Sequence, residues 1–334
     1  MPSLVSVIVA TYNYGRFIAE ALRSLQRQTF ADWEAIIVDD GSTDETPAVV
    51  QAFLDDHRFH YRRIEHVGQS GAKNVGIRAA RGRYVAFLDA DDVWHPEKLA
   101  RQLAVFERDP SLGVVYTGRE WMTADGRPLE RPAPTLYRGD VLRAIFRTNF
   151  VCFSSSMVRR DVFADVGLFD ESLTLAVDYD LWLRIAARYR FDYVDAPLVR
   201  YRVGHASLSR RAVERAVTVM AIRRRFLARA ESRRLPWSWV RTAAAQLHCS
   251  LALALRDAQP AAALTSYLKA LVAAPWHGAA WKGLVSLAFS EPTRRRLRVA
   301  LGRPADWRLP VEPAPPAMCL PPAGSRDATR SRTP

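Results

Sequence analysis

Hydrophobic positions in the first hundred residues fall into two alternating patterns. The run "VSVIVA" (5–10) is continuous and β-branched, as expected of a strand buried on both faces. After the loop "TYNYGR", Ile18, Leu22 and Leu25 recur at helical spacing. "WEAIIVDD" (33–40) predicts a second strand, closed by "GSTDET", where Ser42 or Thr43 can cap a helix running to Leu54. "HYRRIE" (60–65) is a weaker strand, "GAKNVGIRAA" (71–80) a helix and "RYVAFLDA" (83–90) a strand. Pro96 opens a helix bearing Leu99, Leu103 and Phe106. Such alternation predicts an α/β fold, a mainly parallel sheet covered by helices, with ligands beyond the carboxyl ends of the strands.

The pattern then changes twice. Residues 113–208 are mixed: "GVVYTG" reads as strand, "FVCFSSSMVRRDVFADVG" as strand, turn and helix, "DYDLWLRIAARY" as helix, and "FDYVDAPLVRYRV" as one or two strands. From 209 to 302 only helical signals remain, punctuated by Pro236, Pro260 and Pro275. Residues 303–334 hold eight prolines and few large apolar residues, a composition that predicts disorder. Three regions are therefore expected: 1–208, a basic helical region 209–302, and a Pro/Arg-rich tail 303–334.

Charge sharpens the division. Residues 1–208 carry 26 Lys+Arg against 28 Asp+Glu, whereas 209–334 carry 22 against 7, so the net charge of +13 comes entirely from the last third. A cationic rear suits an anionic partner, and its tryptophans (Trp237, Trp239, Trp276, Trp281, Trp307) beside clusters such as Arg223-Arg224-Arg225 and Arg294-Arg295-Arg296 suit a lipid headgroup interface. A soluble helical cap with an arginine-rich surface is the plainer alternative. No ordered basic-aromatic motif for nucleic acid is visible. No run of about twenty apolar residues exists, and a signal peptide is not expected. Cys152, Cys249 and Cys319 make neither a zinc pattern nor a disulfide framework, which points to a reducing cytoplasm.

Candidate chemistry gathers at predicted strand ends. Asp39 and Asp40 close the second strand, where a carboxylate can accept a hydrogen bond from a base or ribose, or merely shape an Asp-Gly turn. "VAFLDADDVWHP" (85–96) crowds Asp89, Asp91 and Asp92. The Asp-x-Asp pair Asp89/Asp91 can hold a divalent cation against a diphosphate, which would relieve the repulsion, while Asp92 and His95 are assigned to the turn into the Pro96 helix. Asp178 and Asp180 precede an amphipathic helix; capping accounts for Asp180, and Asp178 can reach a cleft. Arg202 and His205 are candidates for acceptor or phosphate contacts.

Taken together and in order, "VSVIVATYNYGRFIAEALRSLQRQTFADWEAIIVDDGSTDET", "GQSGAKNVGIRAARGRYVAFLDADDVWHPEKL" and "VGLFDESLTLAVDYDLWLRIA" closely resemble family 2 glycosyltransferases of the GT-A fold, over roughly residues 4–208. The resemblance implies a Rossmann-like mixed sheet with helices on both faces, and inverting transfer from a nucleotide sugar, usually a UDP-sugar, with Mg²⁺ or Mn²⁺. It places Thr11, Tyr12 and Asn13 at the nucleotide pocket, Asp40 at the base with Asp39 beside it, Lys73 near the nucleotide where arginine is commoner, Asp89 at the ribose, Asp91 at the metal and Asp178 as catalytic base. Val177 stands where the family usually has glutamate. The Gln/Arg-x-x-Arg-Trp motif and membrane spans of processive members are not found, so one sugar per encounter is expected. The expected acceptor is a glycan or lipid-linked hydroxyl, and the arginine- and tryptophan-bearing rear suggests peripheral attachment of a cytoplasmic protein to the inner face of the cell membrane near it. A noncatalytic sugar-nucleotide-binding or scaffold protein of the same fold is the alternative. A nucleotidyltransferase ranks lower, because "ATYNYGR" carries one glycine.

Overall fold

The computed structural model describes residues 3–204, 211–287 and 289. Four parallel strands form its front: β1 (Val5–Thr11), β2 (Trp33–Asp39), β3 (Phe59–Arg63) and β4 (Tyr84–Phe87), in the order β3-β2-β1-β4. The remaining strands are β5 (Val93–Trp94), β6 (Val114–Met122), β7 (Pro128–Leu129), β8 (Met157–Arg159) and β9 (Phe191–Arg202). They extend the sheet as β4-β8-β6-β9-β5, with β7 on β6. The β4–β8, β8–β6 and β9–β5 pairs are antiparallel and β6–β9 is parallel, so the sheet is mixed.

Alternate β1 side chains enter two cores. Val5, Val7 and Val9 pack with α1 (Gly15–Gln26), α2 (Thr46–Gln51) and α4 (Lys98–Arg108) through Ile18, Leu22, Val50, Leu99 and Phe106. Ile8 faces the other way, toward α3 (Gly68–Ala79), α5 (Leu142–Arg147), α6 (Val162–Val166) and α7 (Val177–Ala186). Gly76 lets α3 approach this strand, since a Cβ there would lie 2.5 Å from an Ile8 methyl.

Ile222 and Phe226 of α8 (Ala212–Leu227), and Val240 and Ala243 of α9 (Trp237–Leu255), belong to that second core. Only the later turns of α9, with α10 (Pro260–Ala273) and α11 (Gly278–Leu287), form a cluster of their own around Tyr267. The helical rear is thus rooted in the α/β core.

Several local expectations shift. Helix α2 has no side-chain cap: Ser42 instead accepts a hydrogen bond from the Asn13 N–H (3.0 Å). Helix α4 starts at Lys98, after a turn through His95-Pro96, and has no side-chain cap either. Asp92 does not shape that turn. It is 1% exposed and joins the Ser154 hydroxyl (2.5 Å) to the Arg202 N–H (3.0 Å). Burial, with Asp91 and Asp89 nearby, holds its carboxyl well above the ordinary range, so crowding in this stretch is relieved partly by favouring a proton on Asp92. The tail from 303 and His205 lie outside the described residues.

Candidate functional site

Strand β1 lies between β2 and β4: the chain runs outward from it through β2 and β3, then returns to place β4 on its other side. That makes its carboxyl end a topological switch point, where an open α/β sheet leaves a crevice. Thr11, Asp39 and the turn after β4 converge there. Thr11 is buried, and its hydroxyl has no hydrogen-bond partner. Asn13 adopts a left-handed backbone (φ 57°), which Asn tolerates better than most residues. Its Oδ1 accepts the Thr43 N–H (2.8 Å), fastening the first loop to the "DGST" loop.

The two aspartates after β2 divide their work. Asp39 is fully buried and accepts the Ser42 N–H (2.8 Å) and the Tyr61 hydroxyl (2.6 Å), so both oxygens serve the loop. Asp40 accepts the Val67 and Gly68 N–H groups (2.7 and 2.9 Å) at the start of α3. His66 lies 3.0 Å from the same carboxylate and 4.3 Å, ring to ring, from exposed Tyr12. Asp40, His66 and Tyr12 thus wall one side of the crevice. His66 was not among the residues expected from sequence.

The opposite wall is charged. Lys73, on α3, is 6% exposed; its Nζ lies 4.0 Å over the Phe153 ring, 3.1 Å from Gln69 Oε1 and 3.9 Å from Asp89 Oδ1. Burial, opposed by Lys73 and reinforced by the charges of Asp91 and Asp178, pushes the Asp89 carboxyl up to about 6. Solvent still reaches 35% of that side chain, which tempers the burial. The same influences locate Asp91 and Asp178 beside Asp89. Tyr14 closes the group, its phenol raised by burial and then by Asp91 and Asp89.

Asp178 enters on the first turn of α7. The residue before that helix, Ala176, has φ 52°, and it and Asn13 are the only non-glycine positive-φ residues among those described. An alanine held there costs roughly 1–2 kcal/mol, and strain of this kind clusters at functional sites. Val177 is buried in the core. Asn149 donates to Asp178 Oδ2 (2.7 Å), while its own Oδ1 is buried and without a partner.

The next residue ties this site to the rear. Tyr179 donates to the Phe146 carbonyl (2.9 Å) and accepts from Arg223 Nε (3.0 Å). Arg223 also donates to the Arg147 carbonyl (2.8 Å), two residues before Asn149, and to the Ala243 carbonyl of α9 (2.7 Å). One buried guanidinium therefore joins α7, the end of α5, α8 and α9. Arg223 was read as part of a surface cluster; the signal for burial was its place on the stripe Ala216, Ile222, Phe226.

Arg202 is also committed. Its guanidinium bonds the Asp91 carbonyl (2.8 Å), the Ala124 carbonyl (3.0 Å) and Glu20 (2.5 Å), so it braces the Asp91 loop, and a phosphate or acceptor contact would require exchanging those bonds. Asp180 pairs with Arg184 (2.9 Å) and lines a cavity of about 230 Å³ with Asp170, Arg225 and Arg229, a lining that does not include Asp89, Asp91 or Asp178. Among the described residues no cluster of three His, Cys, Asp or Glu side chains could hold a metal. The donor set nonetheless fits Mg²⁺ or Mn²⁺: two hard carboxylates, Asp89 and Asp91, suit an ion that takes its other ligands from phosphates and water.

Comparisons with known proteins establish the family and the fold. The glycosyl transferase family 2 sequence model matches residues 6–167. A glycosyltransferase of Rickettsia prowazekii is 30% identical over 218 residues, covering 63% of this chain and 67% of its own length. A Bacillus subtilis glycosyltransferase named for teichuronic acid biosynthesis, TuaG, is 42% identical over 130 residues, covering 38% of this chain and 51% of that protein. A Rickettsia felis relative matches 60% of this chain, which spans only 33% of that protein. Two solved structures share the GT-A fold. The mannosyltransferase PcManGT of Pyrobaculum calidifontis, in complex with GDP-Man and Mn²⁺, has TM-score 0.59 and 23% identity, covering 88% of this chain and 83% of its own. Residues 1–349 of S. aureus TarS, in complex with UDP-GlcNAc, have TM-score 0.57 and 18% identity, with 90% and 92% covered. The chain belongs to the family 2 glycosyltransferases.

Proposed function

We propose that the protein transfers one sugar, with inversion, from a nucleotide sugar, most simply a UDP-sugar, to a hydroxyl of a glycan or lipid-linked acceptor in cell-surface polysaccharide synthesis. The observation that carries this reading is the meeting of Lys73, Asp89 and Asp91 with Asp178 beyond the switch point of the sheet. The relatives and the nucleotide-sugar complexes of similar fold support it.

Each residue then has a physical task. Tyr12, Thr11 and Asn13 line the base pocket, and the Asp40 carboxylate, prepositioned by two backbone N–H groups, keeps lone pairs for the base. Asp39 acts through the loop it shapes. Asp89 faces the ribose, and Lys73 brings positive charge to the nucleotide. Asp91, with Asp89, would hold Mg²⁺ or Mn²⁺, which when bound neutralises charge on the departing diphosphate. The acceptor oxygen attacks the anomeric carbon as the bond to the diphosphate breaks. Its proton passes to Asp178, whose Oδ2 is steadied by Asn149. The acceptor is presented at an anionic membrane face, which the cationic rear adjoins.

The test is a panel of nucleotide sugars scored for binding with and without Mn²⁺, followed by transfer assays with the best binder. One donor should bind in a metal-dependent way and lose its sugar to an acceptor. Binding without any turnover would favour the noncatalytic alternative.

A further inference from the structure

The faces that α10 and α11 turn away from the protein are apolar. On α10, Leu264, Leu268 and Val272 stand four residues apart and are 44%, 50% and 80% exposed. On α11 and just beyond it, Trp281, Val285 and Phe289 repeat the spacing at 54%, 62% and 40%. Trp276, in the connection between the helices, is 62% exposed. Four-residue spacing puts each set on one side of its helix.

Internal packing does not need these stripes. The inward sides hold Ala263, Tyr267, Ala270 and Ala280, all buried. Gly283 lies so close to the Tyr267 ring that a Cβ there would come within 2.1 Å of it. The helices are therefore closely fitted on their inner side and bare on their outer side. Bare stripes of large apolar groups on two neighbouring helices mark an interaction surface.

The charges around it indicate what it meets. Residues 211–287 carry twelve Lys+Arg and three Asp+Glu, and from 260 to 287 there is no acidic residue. Lys269 and Lys282 are exposed on the same two helices. Arg241 lies 5.3 Å over the Trp276 ring at the corner between them. Two copies of so cationic a face would repel each other. An apolar stripe with tryptophan and lysine, free of carboxylates, matches the boundary between anionic headgroups and acyl chains.

We propose that this outer face of α10 and α11 lies on an anionic bilayer, with Leu264, Leu268, Val272, Trp281 and Val285 entering the headgroup boundary. The proposal deepens the reading of a membrane-presented acceptor, but its test does not depend on transfer. Full-length protein is sedimented with phosphatidylcholine vesicles, with and without phosphatidylglycerol, at low and high salt. Wild type should bind only the anionic vesicles, and less at high salt. The double variant Leu268→Glu/Val272→Glu should lose binding by at least about tenfold, and Val217→Glu, exposed on α8, should not. Both variants should keep donor binding in solution, which separates loss of this surface from loss of the glycosyltransferase site. Three results would overturn the proposal: no binding of wild type to anionic vesicles, equal weakening by Val217→Glu, or a wild-type dimer that the double variant makes monomeric.

Discussion

The two ends of the candidate site are built by opposite means. On the side proposed to take the nucleotide, loops are fixed by side chains accepting backbone N–H groups: Asp39, Asp40, Asn13 and Ser42 all do so within a few residues of a strand end. On the Asp178 side, the strained turn at Ala176, two residues away, is joined by support from far along the chain, through Arg223 of α8. The first design sits at strand ends and is readable as motif, although most of its bonds join one loop to another. The second depends on the rear helices packing correctly, so what looks like an appendage becomes part of the site.

The strongest way to separate the two sides is Asp178→Asn. Loss of a positioned base should lower transfer by about 10²–10⁴-fold while donor affinity stays near wild type. Donor titration by calorimetry, set against the transfer rate, reads both sides at once. A parallel loss of binding would place Asp178 on the nucleotide side. Next is Arg223→Met, far from the nucleotide loops. It removes the hydrogen bonds donated to the Tyr179 hydroxyl and to the Arg147 and Ala243 carbonyls, so a stability loss of roughly 2–4 kcal/mol is expected. The surviving folded protein should bind donor normally and transfer about tenfold more slowly, since a small misplacement of a reacting group is costly. Thermal melts with single-turnover kinetics check it, and normal turnover in the folded fraction would reduce Arg223 to a packing role.

That contrast also explains what the sequence disclosed. The alternation of "VSVIVA", "WEAIIVDD" and "RYVAFLDA" with amphipathic helices announces the parallel half of the sheet, because each element's pattern is set by its own burial. The aspartates at strand ends are legible for the same reason. Strand β5, two residues long, has no pattern to read and exists because β9 pairs with it. Asp92 looked like a turn residue because its partners, Ser154 and Arg202, are 62 and 110 positions away. Arg223 hid in a run of three arginines, and only its place on an apolar stripe marks it as buried. His66 and Asn149 had no local signal at all, since each is defined by a carboxylate distant in sequence.

A milder probe of the long-range side is Asn149→Ala. One hydrogen bond to an ionised carboxylate contributes about 1.5–3 kcal/mol, and the loop retains its other supports, so transfer should fall roughly tenfold or less. Donor KM should stay unchanged, because the hydrogen bond that Asn149 donates goes to Asp178. Asn149→Asp should be worse, placing like charge against Asp178. If Ala and Asp behave alike, the amide is not what orients Asp178.

The smallest effect tests the charged wall itself. Asp89 titrates near 6 in the folded chain, against 3.8 ordinarily. A carboxyl raised on folding contributes stability that is fully present below its unfolded pKa and is lost as pH rises through the folded value. The wild type should therefore lose stability between about pH 4 and 6 relative to Asp89→Asn. At pH 8 the variant should melt roughly 2 °C higher, a modest shift because solvent still screens the group. At pH 4 the two should coincide. Mg²⁺ with UDP should close the gap at pH 8 by stabilising wild type and not the variant. Arg223→Met, which leaves the aspartates of the charged wall in place, should be destabilised alike at both pH values. A difference that is the same at pH 4 and 8 for Asp89→Asn as well would mean that the aspartates are not electrostatically strained, and the contrast between a charged nucleotide wall and a mechanically braced Asp178 would fail.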